Sequence, residues 1–347
     1  MHEPKPDPMI ARDLIGYGEF PPNPAWPGGA LIAVNFNLNI EGGGELSLAN
    51  GDDVSEGMLN DIGVGAQRGR RVPLVESVFE YGSRRGAWRL LDVFRDFSIP
   101  VSVLAVARGL EQNPQLVRAC VARGHEIVSH GYRWIDYGNV TEDVEREHIL
   151  RAIEILTQLT GTRPVGWMTG RPGPNTRRLL VEAGGFLYDR DSLADELPYW
   201  LRINDRHHLV IPYSYEANDN RFNENSGFST GEHFFTYMRD AFDVLYREGA
   251  NGSPKLLSIG LHDRLIGRPG RCAGLIRLLE YMRGFEGVWF CRGVDIAHQA
   301  DGLTMERRQA AGRLLAIGGN LRRSWPRRPN TLTAESETSG GWPRLWL

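Results

Sequence analysis

Lysine is almost missing from this chain. Lys5 and Lys255 are the only two, so arginine supplies nearly all of the 40 basic residues among 347. That skew reflects codon usage and carries no functional message. Cysteine is scarce too: Cys120, Cys272 and Cys291 are widely spaced, form no CxxC, and cannot all pair. Free, buried thiols in a reducing compartment are expected. No sign of charge dominates, and a net charge of -3 with a pI near 6.3 argues against nucleic acid or an anionic membrane as partner. No apolar run approaches the ~18 residues of a membrane span. The opening Met1-His2-Glu3-Pro4-Lys5-Pro6-Asp7 is charged and broken by proline, unlike a secretory signal. A cytoplasmic protein is expected.

With 41% hydrophobic and 24% charged residues, the chain has the composition of a globular protein with room for one large domain or two modest ones. Residues 1–29 are rich in Pro and Gly and read as an extended arm. From Ala30 short apolar runs alternate with longer amphipathic ones. Strands are expected at 31–36, 101–106, 126–129, 165–169, 186–188, 209–212, 256–261 and 288–290. Helices are expected at 88–97, 114–123, 141–160, 174–183, 232–248 and 269–283, with Asn113 as an N-cap and Gly161 as a stop. This alternation predicts a distorted parallel β/α barrel over 30–302 as a single domain. Beyond it, 303–347 reads as one helix (305–317) and a disordered tail whose arginine cluster is solvated. No internal repeat is evident.

In such a barrel, reactive groups collect at the C-terminal ends of strands. Asn37, Asn39 and Glu41 follow the first strand, His130 the third, Arg171 the fourth, Asp189 and Asp191 the fifth, and His262 the seventh. One such residue alone would be a structural hydrogen-bonder; five strand ends each delivering a polar group point to a site. His130 and Trp134 stand at i, i+4, where a metal hydrolase would place two histidines.

On these residues the chain resembles the polysaccharide-deacetylase family of amide hydrolases from about 12 to 300. In that family's first motif, Phe-Asp-x-Asp, the first aspartate is a base and the second a metal ligand; here the two positions are Asn37 and Asn39. Its metal histidine pair corresponds to His130 and Trp134, its arginine motif to Gly170-Arg171-Pro172, its acidic motif to Tyr188-Asp189-Arg190-Asp191, and its late histidine to His262. Two of three metal ligands are replaced, which resembles the metal-independent allantoinase branch. Arg12-Asp13-Leu14-Ile15-Gly16-Tyr17-Gly18, Glu80-Tyr81-Gly82-Ser83-Arg84 and Ser129-His130-Gly131-Tyr132-Arg133-Trp134 are similar to that branch in particular. Asp263, directly after the late histidine, departs from it.

The resemblance implies opening of a small cyclic ureide without cofactor or metal, by a homo-oligomer. Without a cation to acidify water, side chains must move the protons. Glu41 or His130 is the expected base, and His262 the acid for the leaving nitrogen. Asp189 or Asp191 would orient an imidazole. Arg171 and the backbone of Gly42-Gly43-Gly44 would meet the oxyanion. Asn37, Asn39, Trp134, Arg171 and Asp191 would contact substrate. Plainer alternatives stand beside these: Glu41 as a loop cap, Trp134 as core packing, and Arg177 and Arg178 as salt-bridge partners. A carbohydrate N-deacetylase, a cyclic imide hydrolase and a non-catalytic small-ligand binder remain as other functions.

Overall fold

Strand β1, Ile32–Ile40, alternates strictly along its length, and that alternation sets the character of the interior. Ile32, Val34, Phe36, Leu38 and Ile40 pack into the main apolar core with residues of the surrounding helices. Ala33 belongs to a second core, with Leu104, Val128, Met168 and Tyr188. Because successive side chains of a strand point to opposite faces, Asn35, Asn37 and Asn39 share the Ala33 side. All nine residues are buried. The strand therefore delivers a row of carboxamides into the barrel, ending at Glu41.

The computed structural model describes residues 12–224 and 226–302, all within the compact unit Met1–Leu303. The expected helix at 305–317 and the tail after it lie outside the described residues. The further strands are β2 (Ser102–Ala105), β3 (Glu126–Ser129), β4 (Gly166–Trp167), β5 (Tyr188–Asp189), β6 (Tyr199–Ile203), β7 (Arg206–Val210), β8 (Lys255–His262) and β9 (Val288–Phe290). Their order is β6-β7-β5-β4-β3-β2-β1-β8, with β9 also on β1. All neighbours are parallel except β6 and β7. One edge of β1 pairs with β8, and the other is divided between β9 and β2. Between β7 and β8 irregular segments take the place of a strand: Asn218 bridges Gly260, and Leu256 N–H donates to Glu196 O. The expected distorted β/α barrel is the observed one.

The helices are α1 (Pro73–Tyr81), α2 (Ala87–Asp96), α3 (Ala107–Glu111), α4 (Pro114–Ala122), α5 (Glu142–Thr160), α6 (Thr176–Ala183), α7 (Gly231–Ala250) and α8 (Pro269–Met282). Most fall within two residues of their expected bounds. Thr141 caps α5 by accepting from Val144 N–H, and Gly161 ends it at φ 77°. Asn113, by contrast, makes no side-chain cap on α4; proline at the first position already removes one orphan donor. Hairpin β6–β7 was not foreseen. Its two-residue turn, Asn204-Asp205, has φ 46° and 60°, the left-handed pair of a tight hairpin, without the glycine that usually announces one. Helix α1 was not foreseen either; it runs through a π-turn at Gly82–Gly86 into α2. That turn packs so closely on the end of β8 that a Cβ at Gly86 would overlap the Asp263 carbonyl.

Candidate active site

Strand ends bring Glu41, His130 and His262 together. Glu41 Oε1 lies 3.2 Å from His130 Nε2 and 3.5 Å from His262 Nε2, while Oε2 lies 2.6 Å from Arg264 Nη2. All four residues are buried. Register explains the meeting: Asn39 of β1 stands opposite His262 of β8, so Glu41 and His262 leave adjacent strands at one level.

Each imidazole is fixed from behind. His130 Nδ1 is 2.7 Å from Met168 O, and a carbonyl only accepts, so Nδ1 carries a proton and Nε2 faces Glu41 Oε1. Gly170, at φ 77°, closes that side; a Cβ there would sit 3.0 Å from His130 Cε1. His262 Nδ1 donates to Asp219 Oδ1 at 2.6 Å, and Asp219 Oδ2 accepts the N–H groups of His262 (2.7 Å) and Ile266 (3.0 Å). Burial works against a charged His262, yet the Asp219 and Glu41 carboxylates raise its pKa to about 9. Burial likewise opposes ionisation of Glu41, but Arg264, His262 and His130 hold its carboxyl well below the usual range. The site thus sets a carboxylate held anionic between a protonated imidazole and a second imidazole whose Nε2 faces it.

Asp219 was missed from sequence, and it displaces an expectation. Asp189 was assigned to orient one of the two imidazoles; it binds Arg177 Nε at 2.7 Å and His208 Nε2 at 2.8 Å instead. Burial raises its pKa, but those partners bring it down to about 2. Arg177, expected in a salt bridge, is in one. Asp191 accepts from Thr169 N–H (2.8 Å) and Gly170 N–H (3.0 Å), and burial with the nearby Asp189 charge raises its pKa to about 6. It shapes the loop beside His130 and does not touch either imidazole's hydrogen-bonding nitrogens.

The expected substrate contacts are also partly committed elsewhere. Asn39 Nδ2 donates to Leu261 O (2.9 Å) and Tyr213 OH (3.0 Å), and Asn37 Nδ2 to Ser258 Oγ (3.2 Å). Asn37 Oδ1 is buried without a partner. Trp134 is only 4% exposed, packs on Phe79, and has the guanidinium carbons of Arg171 and Arg264 over its ring at 4.1 and 5.2 Å. Its ring faces two cations. Arg171 Nη2 donates to Trp134 O at 2.7 Å and reaches Glu56 at 3.4 Å, so it clamps a loop. Two of the three N–H groups in the glycine segment are already taken. Gly43 N–H donates to Glu45 and Gly44 N–H to Glu41 O.

Two more buried acids surround the site. Burial raises Glu45 to about 7 and Asp263 to about 7, and neither Asp263 oxygen has a hydrogen-bond partner.

These residues do not fit the metal that the family implies. Trp134 has no lone pair to give, and Asn39 offers only a neutral amide oxygen where the family has an anionic carboxylate. Glu41 bridges the two imidazoles with a guanidinium pressed on its other oxygen. Among the described residues no group of three His, Cys, Asp or Glu side chains is arranged to hold a metal ion. No helix among them is long and apolar enough to cross a membrane.

Comparison with known proteins agrees with this architecture. Residues 68–183 match the family model for polysaccharide deacetylase. A Schizosaccharomyces pombe protein assigned as a polysaccharide deacetylase is 40% identical over 306 residues, covering 82% of this chain and 95% of that protein. The crystal structure of a probable polysaccharide deacetylase from Pseudomonas aeruginosa PAO1 is 56% identical, with a TM-score of 0.81 over 83% of this chain and 97% of that one. The crystal structure of Puue allantoinase is likewise 56% identical, with a TM-score of 0.81 over 83% of this chain and 96% of that one. On its barrel, its strand-end histidines and the extent of these matches, the chain belongs to the polysaccharide deacetylase family.

Proposed function

We propose that the protein is a hydrolase of a cyclic amide C–N bond, and specifically an allantoinase that opens allantoin to allantoate in purine breakdown without a metal ion. One observation carries the reading: Asn39 and Trp134 stand where the family's metal ligands belong, while Glu41, His130, His262 and Asp219 form an acid–base set at the same strand ends. The 56% identity to Puue allantoinase supports it.

The chemistry follows from the protonation states. His130 Nε2 accepts a proton from water as the water oxygen bonds to the ring carbonyl carbon. Glu41, already anionic and 3.2 Å from that same nitrogen, stabilises the imidazolium so formed by its charge, while Met168 O holds Nδ1–H from behind. The carbonyl π electrons move to oxygen, then return as the ring C–N bond breaks. His262, protonated at neutral pH, delivers a proton to the departing nitrogen. Groups whose surroundings drive their pKa values apart, as here with Glu41 and His262, are suited to opposite roles. The departing nitrogen belongs to a urea, a better leaving group than a simple amine.

The family name supports a second reading, carbohydrate N-deacetylation. A panel of allantoin, hydantoin, dihydrouracil and N-acetylglucosamine oligomers separates the two. Turnover of allantoin above all others is expected. Release of acetate from the sugars with no ring opening would reverse the assignment.

A further inference from the structure

Arg264 is a fully buried cation that keeps an unpartnered donor nitrogen at the site. Its Nε donates to Leu59 O at 3.0 Å, which fixes the plane of the group. Nη2 then lies 2.6 Å from Glu41 Oε2 as an ion pair, but neither Nη1 nor Nη2 makes a hydrogen bond of acceptable geometry. Nη2 is thus held on Glu41, and Nη1 is left open beside a carboxylate that also faces both imidazoles.

Its surroundings are built for a cation. The guanidinium carbon sits 4.4 Å from the Phe79 ring centroid and 5.2 Å from that of Trp134. Aromatic faces attract cations most strongly when water is excluded, and here Arg264 is 0% and Trp134 4% exposed. The residue that replaces a metal-binding histidine thus forms part of the cradle for a guanidinium. Burying a charge is costly unless it is paired or used. Glu41 pairs with Arg264, and the unused donor marks the direction of use. Arg171 holds Trp134 O, and the Gly43 and Gly44 N–H groups are taken within their own turn.

Resting on the allantoinase reading, we propose that Arg264 is a catalytic residue, the fixed cation whose Nη1 group binds the scissile carbonyl oxygen and the oxyanion formed from it. Water adds to the carbonyl carbon, the π pair moves to the oxygen facing Arg264, and that pair re-forms the carbonyl as the C–N bond breaks. His262 supplies the proton to nitrogen, so Arg264 neither gains nor loses one. It contributes the positive charge that a metal ion contributes in a metal-dependent amide hydrolase. A planar guanidinium presents paired donors that an ammonium cannot reproduce.

The test compares wild type, Arg264→Lys and Arg264→Ala for allantoin turnover, hydantoate binding by calorimetry, and thermal unfolding. Hydantoate is a ring-opened carboxylate, so its binding reports Arg264 even without turnover. Expected are a loss of about 10²–10³-fold in kcat for Arg264→Ala, little recovery in Arg264→Lys, and at least partial rescue of Arg264→Ala by millimolar guanidinium. Hydantoate affinity should fall about tenfold or more in both variants. A folded Arg264→Ala with kcat and hydantoate affinity near wild type would overturn the proposal while leaving the allantoinase reading intact. Variants that fail to fold even with guanidinium, alongside an Arg264→Lys that folds and keeps full turnover, would overturn it as well. If wild type turns over no allantoin, the allantoinase reading fails; hydantoate affinity lost with Arg264 would still support an oxyanion site, and unchanged affinity would remove it.

Discussion

Asp219 holds His262 at two points, accepting from its Nδ1 at 2.6 Å and from its backbone N–H at 2.7 Å. Side chain and main chain are thereby locked together, and the free Nε2 is aimed at Glu41. The same carboxylate keeps the imidazole charged, since its field outweighs the burial penalty.

Asp219→Asn should therefore lower kcat by about 10²–10⁴-fold, because both orientation and acid strength are set through this pair. In wild type the acid must be protonated, so kcat should fall as pH rises through about 9. Removing the Asp219 charge lowers the His262 pKa, and that alkaline limb should move toward neutral pH. A pH–rate profile of wild type and variant checks the direction. An unmoved limb would exclude His262 as the acid.

Asp263 offers a test by stability. Burial raises its pKa to about 7, against the opposing field of Arg264. For an acid with a raised folded pKa, the folded state binds the proton more tightly than the unfolded chain does. Its favourable contribution is present below the unfolded value near 4 and is lost as pH rises through about 7. Asp263→Asn should be close to neutral at pH 4 and should stabilise the fold at pH 9 by about 1–3 kcal/mol. Denaturant unfolding at the two pH values measures this. Equal effects at both would show that Asp263 is ionised throughout.

Asp189 is expected to matter for the fold and not for the chemistry. It pairs with Arg177 and contacts His208 in a buried cluster, and breaking such a buried pair costs about 3–5 kcal/mol. Asp189→Asn should lower the melting temperature by several degrees or more, while kcat of the folded protein stays within about threefold of wild type. Thermal unfolding combined with active-fraction kinetics separates the two effects. A normal melting temperature with kcat down a hundredfold would restore Asp189 to the catalytic set.

Much of this site was legible in the sequence because strand ends leave local marks. The apolar run at 31–36 announced the first strand with Asn37, Asn39 and Glu41 beyond it; the strand continues to Ile40 and includes both asparagines. The short apolar runs before His130 and His262 placed both imidazoles on the same rim. Asp219 was not legible. It reaches His262 from the 3-10 turn Asp219–Asn223 after β7, across 43 residues, and its neighbours Asn218 and Asn220 look like ordinary turn chemistry. Arg264 was hidden for a different reason: in a chain where arginine replaces lysine nearly everywhere, one more arginine carries no signal until its burial is known. Asp189 was misassigned because a strand-end carboxylate can serve an imidazole of the site or a neighbouring ion cluster. Only the positions of Arg177 and His208 decide which.

The claim on which the rest depends is that protons move here between side chains, with no metal ion in the cycle. The direct measurement is allantoin turnover before and after exhaustive treatment with a strong chelator, together with metal content per chain by mass spectrometry. Unchanged kcat, in protein carrying far less than one transition metal ion per chain, is the expected result. Loss of turnover on chelation, recovered by one equivalent of zinc or another divalent ion, would contradict it.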